Sequence, residues 1–215
     1  NTAVGYQAMQ SNRVGVENVA IGMRALAGNI SATVNTAVGY RSLEANNGYA
    51  NTGVGSTTLM SNTTGNVNAA VGSGALEANT TGSSNVGLGI DALHDNLTGS
   101  NNTAVGNQSL FSNTSGQQNV AIGYQSSYAN TFGGNNVSIG YVALQQNTTG
   151  SQNIAIGHST MAANTTGAFN SAVGFKSLRF NVVGSNNTAF GSYALHYNTT
   201  NNNSAFGHYA LYTNT

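Results

Sequence analysis

The sequence predicts an all-β protein, a parallel β-solenoid of thirteen coils that fills residues 1–215 as a single repeat domain. Three observations predict it: the chain repeats with a nearly fixed period, one position of every repeat is glycine, and two other positions are apolar. Stacked repeats of this kind, each in contact only with its neighbours, are typical of solenoids.

Each repeat follows the consensus N-T-A-V-G-Y-x-A-L-x-x-N-T-T-G-x-x, and we number its positions 1–17. Ten of the twelve complete repeats have 17 residues and two have 16. A second asparagine stands at position 12 of every repeat. We predict that the side-chain amides of at least one of the two positions form a ladder from coil to coil; the alternative is that asparagine only suits the local turn. The asparagines at position 1 are Asn1, Asn18, Asn35, Asn51, Asn68, Asn85, Asn102, Asn119, Asn136, Asn153, Asn170, Asn187 and Asn203.

The elements of a coil follow from the repeat in order. Alternation over positions 2–4 predicts a short strand, the glycine at position 5 permits a bend or a close backbone approach, and positions 6–9 predict a second short strand. N-T-T-G then makes the turn back. Strands about 4.8 Å apart give a rod of roughly 60 Å.

The residue types found at each position of the repeat indicate whether that position lies in the core or on the surface. We expect the apolar positions 4 and 9 to form the core, the small positions 3 and 8 to be held small by close neighbours, and position 6 to be a lateral surface. Ser127 replaces the usual Leu or Met at position 9 and predicts a thin coil that Tyr124 or Tyr128 fills. Both shortened repeats lose their residue in the N-T-T-G turn, where an exposed loop absorbs the deletion.

Composition excludes several classes of function. Five Lys and Arg balance five Asp and Glu, so the chain lacks the basic surface that a nucleic-acid binder needs. No apolar run is long enough to cross a membrane. We therefore predict no contact with nucleic acid and none with a membrane within this segment. The lack of Cys excludes disulfides and thiolate metal sites.

Titratable residues are too sparse to predict an active site. Asp91, His94 and Asp95 form the one dense cluster, which we interpret as a solvated corner, with His94 stacked beside Glu77. Arg24 and Arg41 share position 7 in neighbouring coils, an arrangement that we expect only solvent exposure to tolerate. We predict no catalytic residues, no cofactor and no metal.

The repeats resemble a known family. The motif Asn-x-Ala-Val/Ile-Gly, as in NTAVG at 1–5, NVAIG at 119–123 and NIAIG at 153–157, resembles the head repeat of trimeric autotransporter adhesins. The fuller units NTAVGYQAM and NTAVGYRSL also resemble repeats of phage-type tail-fibre proteins. The resemblance implies a left-handed parallel β-roll, three chains side by side and display outside the cell. The unit here is longer, with N-T-T-G inserted.

These observations predict a non-catalytic structural and adhesive segment of an extracellular or virion-surface fibre. We expect the chain to pair with itself, as a homotrimer or end to end, and to be a window from a longer array because neither end looks like a cap. The alternative to the homotrimer is a self-sufficient monomer whose position 6 is merely exposed. The third and fifth positions would leave room for another chain's backbone. The interchain seam would use position 6, at Tyr6, Met23, Tyr40, Ile90, Tyr124, Tyr141 and Phe175.

Aromatic residues are concentrated in the last coils, which are our candidate ligand-binding site for a host-surface glycan or a protein receptor. The alternative is tighter packing where the rod meets a further domain. The candidate residues are Tyr193, Tyr197, Tyr209 and Tyr212.

Two other hypotheses concern threonine and asparagine. Ice binding through Thr-rich turns or the strand face is the alternative function, although the position-2 column of threonines is broken. Turns such as Asn62-Thr63-Thr64 match the Asn-x-Ser/Thr glycosylation signal, or have that composition simply because it makes turns.

Overall fold

The computed structural model describes residues 1–214 and confirms an all-β parallel solenoid with no helix in that range. Each coil contributes one three-residue strand at positions 2–4, which pairs in parallel and in register with the strands of the adjacent coils. The thirteen strands of this sheet are β1 (Thr2–Val4), β2 (Val19–Ile21), β3 (Thr36–Val38), β4 (Thr52–Val54), β5 (Ala69–Val71), β6 (Val86–Leu88), β7 (Thr103–Val105), β8 (Val120–Ile122), β9 (Val137–Ile139), β10 (Ile154–Ile156), β11 (Ser171–Val173), β12 (Thr188–Phe190) and β14 (Ser204–Phe206).

The predicted second strand of each coil is wrong. Positions 6–10 form consecutive turns, because positions 7 and 9 adopt left-handed backbone angles, with φ of 56° at Gln7 and 50° at Met9. An extended strand requires negative φ. A second pair of strands forms only in the last two coils, between β13 (Tyr197–Asn198) and β15 (Thr213–Asn214).

The expectation that position 4 belongs to the core is also wrong. Successive residues of a strand face opposite sides of the sheet, and position 3 takes the inward side in every coil, as Ala20 and Ala121 show. Position 4 therefore points outward, and Phe190 remains 41% exposed. In most coils the core contains one large aliphatic side chain, the buried Leu or Met at position 9; the exceptions are Ser127 and the exposed Leu211 of the last coil.

Close packing between coils explains the small residues. Outside the two end coils the side chains at positions 3 and 8, such as Ala20 and Ala25, are buried, in agreement with the prediction that close neighbours keep them small. At Gly5, φ is 131° and an added Cβ would lie 2.6 Å from the carbonyl oxygen of Gly22 in the next coil. The space at these positions is thus filled by the same chain, and the idea that it admits another chain's backbone is wrong.

Both asparagine columns form ladders. In the first, the Asn102 Oδ1 accepts the backbone N–H of Asn119 at 3.0 Å, and the Asn102 Nδ2 donates to the Gly116 carbonyl at 2.9 Å. In the second, the Asn113 Nδ2 donates to the Asn96 Oδ1 at 2.7 Å and to the same Gly116 carbonyl at 3.0 Å. The position-15 carbonyl is therefore the point where the two ladders meet within a coil.

The shortened repeats lose their residue in the turn and keep the sheet in register, as predicted. Thr36 pairs with Thr52, and Thr188 pairs with Ser204, across the two 16-residue repeats. The first deletion interrupts the position-12 ladder, because the Asn46 Nδ2 donates to the Gly48 carbonyl at 2.8 Å instead of to the preceding coil. The Asn29 Oδ1 is left buried without a hydrogen-bond donor.

Ser127 divides the core. Its hydroxyl lies 2.8 Å from the Ser138 Oγ, which is 2.7 Å from the Ser126 Oγ, so three buried hydroxyls occupy the place of a leucine. The apolar core consists of one cluster that extends to Ala121 and another that begins at Leu144. Tyr124 and Tyr128 stack on other aromatic rings instead of filling this coil.

We expect Asn102→Ala to lower the free energy of unfolding by about 3 kcal/mol, because it leaves the buried N–H of Asn119 without its acceptor. Asn107→Ala is the matched control in the same coil, since Asn107 is exposed, and it should change stability by less than about 0.5 kcal/mol. Urea denaturation measures both variants. Equal stabilities would contradict a structural role for the ladder.

Candidate functional site

One side of the rod carries most of the chemistry of the chain. Side chains at positions 7, 10 and 11 of neighbouring coils meet there, as when the Thr57 Oγ1 donates to the Glu77 Oε2 at 2.6 Å. We call positions 7, 10 and 11 the variable face, because their residue types change from coil to coil while positions 1, 5 and 12 stay fixed. Eight of the ten charged residues occupy it: Arg24, Arg41, Glu44, Glu77, Asp91, Asp95, Lys176 and Arg179.

At the end of the variable face the structure brings the four predicted tyrosines together. The rings of Tyr193 and Tyr209 stack with centroids 4.8 Å apart, and Tyr209 lies 5.1 Å from Tyr212. Tyr197 meets Tyr212 edge to face at 5.5 Å. The site spans the last coils of the described chain, and its tyrosines occupy all three positions of the variable face.

Sequence reasoning missed the basic and imidazole side chains of this cluster. The Lys176 Nζ lies 4.7 Å from the ring centroid of Phe175 and 5.8 Å from that of Tyr193, and the Arg179 guanidinium lies 4.9 Å from the ring of Phe180. These are cation–π distances. Lys176 and Arg179 stand at positions 7 and 10, so aligning those columns with the tyrosines would have found them.

His196 is buried in the centre of the cluster. Its ring stacks on Tyr212 at 5.2 Å, and its Nδ1–H donates to the Lys176 carbonyl at 2.8 Å. Burial lowers the pKa of His196, and the positive charges of Arg179 and Lys176 lower it further against the raising effect of the backbone hydrogen bond. The lowered pKa favours the uncharged imidazole, which packs among the aromatic rings.

The outer rings of the cluster remain accessible. Tyr197 is 43% exposed and Tyr209 is 48% exposed. A platform of stacked rings with phenolic hydroxyls and a nearby ammonium group suits the apolar face and hydroxyl groups of a sugar, or an aromatic or acidic side chain of a protein.

In the cluster of Asp91, His94 and Asp95, the His94 side chain contacts neighbouring carboxylates and packs on an aromatic ring. The His94 Nδ1 lies 2.7 Å from the Asp95 Oδ1, and its Nε2 lies 3.9 Å from the Glu77 Oε2, which confirms the predicted neighbour. The His94 ring stacks on Phe111 at 5.0 Å. Within residues 1–214, no three His, Asp or Glu side chains are placed to hold a metal ion.

The two stacked arginines are held by a carboxylate, so the expectation that solvent exposure alone allows them is wrong. The Arg24 Nη2 lies 2.5 Å from the Glu44 Oε1, and the Arg41 Nε donates to the Glu44 Oε2. The Glu44 carboxylate raises the pKa of the Arg41 guanidinium. One negative charge thus bridges two positive charges in neighbouring coils.

The threonine and asparagine side chains of the turns are used within the rod. Thr80 and Thr148 at position 13 donate to carbonyls of the next coil, at 2.8 and 3.1 Å, so these hydroxyls are not a free array for ice. The amide of Asn62 is fully buried and donates to the Asn46 Oδ1 and the Gly65 carbonyl. The folded rod therefore supports the interpretation of the glycosylation signal as turn composition.

Comparisons of the chain with protein-family models, with curated proteins and with solved structures find no match. None of the secondary structure in residues 1–214 is a helix able to span a membrane.

We expect the last coils to lose stability as the pH falls. Because His196 has a lowered pKa, its contribution is complete above the ordinary histidine pKa of about 6.5 and is lost as the pH falls below that value. His196→Tyr, which copies Tyr128 and Tyr212 at position 10, should remove this dependence, whereas the control His94→Tyr should keep it. Opening free energies from hydrogen exchange measure the effect, and an unchanged pH dependence in His196→Tyr would contradict it.

Proposed function

We propose that this chain is a non-catalytic segment of an extracellular or virion-surface fibre, in which three copies pack through the outer face of the sheet. The observation that supports the proposal is that the side chain at position 4 points outward from the rod. Its side chain is apolar in every coil, and it is exposed at Val4, Ile122 and Phe206 among others. A continuous apolar face along a rod is the surface expected to be covered by a partner.

Position 6 extends this face. The seven residues predicted for the seam are all exposed, and Tyr124 and Tyr141 stack on each other at 5.4 Å. Positions 2, 4 and 6 carry no Lys, Arg, Asp or Glu in any of the thirteen repeats. Depletion of charge is typical of the buried centre of an interface.

The size of the face fits a stable association. Thirteen strands about 4.8 Å apart, and four steps of about 3.3 Å from position 2 to position 6, give a strip of roughly 60 by 13 Å, or about 800 Å² per chain. This is the area that each partner buries in a standard interface. The lean core of each coil, with at most one large aliphatic side chain, gives self-association a further stabilising role. The choice of three chains follows the resemblance to trimeric autotransporter adhesins.

We expect light scattering to give a trimer for the native chain and a monomer for Ile122→Lys, because a charge at position 4 would be desolvated in the seam. Gln117→Lys adds the same charge on an exposed turn of the preceding coil and should remain trimeric. A native chain that is monomeric at all concentrations contradicts the proposed assembly.

The aromatic end of the variable face is the proposed attachment surface. Its tyrosines stand at positions 7, 10 and 11 and therefore outside the proposed seam at positions 2, 4 and 6, although Tyr193 borders the seam through Phe175 at position 6. The stacked, exposed rings of Tyr197 and Tyr209 support contact with a glycan or a protein receptor.

Replacing Tyr193, Tyr197 and Tyr209 together with Ser should abolish binding on a glycan array, because it removes the stacking platform. Tyr128→Ser is the control, since Tyr128 also stacks on the variable face, against Phe111, but lies outside the last coils. Retention of binding by the triple variant would make the aromatic end purely structural.

A further inference from the structure

A depression lies on the variable face, near the end of the described chain that is opposite the aromatic cluster. It has a volume of about 500 Å³ and spans the first four coils. The small residues Ala27 and Gly28 at positions 10 and 11 form part of its lining, together with Gln10, Glu44 and Met60. The size is within the range of small-molecule sites.

The depression has a net positive charge. Arg24 and Arg41 line it together with the single carboxylate of Glu44, which leaves one positive charge in excess. The side chain of Arg24 is 43% exposed, whereas that of Glu44 is 12% exposed. The charge that an entering ligand meets is therefore mainly that of the guanidinium groups.

The rod itself does not require arginine at these places. At position 7 in coils seven and eight, Gln125 donates to Gln108 at 2.9 Å and forms a neutral ladder. Arg24 instead lies beside a like charge in the next coil, and its Nε is buried without an acceptor among residues 1–214. Glu44 bridges the two arginines, but a buried donor without an acceptor still lowers stability by about 1–3 kcal/mol, a cost that the neutral glutamine ladder does not carry.

We propose that this depression binds an acidic monosaccharide, a sugar ring with one carboxylate. The carboxylate would pair with Arg24 and Arg41, because guanidinium groups bind carboxylates with two parallel hydrogen bonds. The side chain of Gln10 and the carboxylate of Glu44 supply partners for ring hydroxyls, and Ala27 and Met60 supply apolar contact for the ring. The site is separate from both the seam and the aromatic end.

Titration of ¹⁵N-labelled protein with sodium glucuronate and with glucose tests the proposal. The two sugars differ only at C6, where glucuronate has a carboxylate and glucose has a hydroxymethyl group. We expect saturable shifts of the Ala27 and Gly28 amides with glucuronate, and binding of glucose weaker by about tenfold or more. Sodium acetate, which has the carboxylate without the ring, should compete poorly.

Two variants built from the repeat itself locate the site. Arg24→Gln restores the residue found at Gln7 and Gln125, and Ala27→Gln fills the depression with the residue found at Gln10, so both are compatible with the coil. Each should weaken glucuronate binding by about tenfold or more. Arg13→Gln, an exposed residue outside the depression, removes the same charge and should bind as the native chain does.

Three results would overturn the proposal: no saturable binding of glucuronate, equal binding of glucose or acetate, or unchanged affinity in both Arg24→Gln and Ala27→Gln. None of these results would affect the oligomeric state measured by light scattering. Failure of this site is thus distinguishable from failure of the fibre assembly.

Discussion

The backbone carbonyl at position 15 accepts two hydrogen bonds from asparagine side chains. These bonds close each coil and align it with the next. Two buried amides, from Asn102 and Asn113 in the seventh coil, donate to the same Gly116 oxygen, while their own oxygens accept from the next coil. Each such bond is modest in net free energy, yet an unpaired buried amide is costly. A Cβ at Gly116 would lie 2.4 Å from the Asn113 Oδ1, which favours glycine at position 15, although Ala32 takes this place in the second coil and its carbonyl also accepts both amides.

Because asparagine amides occupy much of the interior, little room is left for apolar volume. In most coils position 9 supplies the one large aliphatic side chain, and positions 3 and 8 are kept small. The remaining apolar side chains, at positions 4 and 6, lie outside the rod. Scaffold and surface are thereby separated: the fixed positions form the ladders and the core, and the variable face can change from coil to coil without affecting either.

The sequence predicted the period, the parallel stacking, a ladder of asparagine amides for at least one of the two positions and the location of the deletions, because each depends on residues repeated in every coil. It did not predict which side chains of the strand face the interior. Hydrophobicity places Ile21 inside, but the narrow interior accepts only small side chains at position 3, such as those of Ala20 and Ser138. It also missed the turns at positions 7 and 9, since residues such as Gln7 and Met9 rarely adopt positive φ. Composition located the tyrosine cluster, whereas Lys176 and Arg179 required the alignment of columns in space.

The hydroxyl cluster of Ser126, Ser127 and Ser138 has a consequence for a rod under tension. In a solenoid each coil is stabilised chiefly by its two neighbours, and the contact across this cluster lacks the leucine that contributes about 2 kcal/mol elsewhere. The rod therefore has two segments, each with its own continuous apolar core, joined at a coil that we expect to be weaker. Stretching along the axis would open that coil first and let the two segments separate intact, so that extension absorbs mechanical work before either segment unfolds.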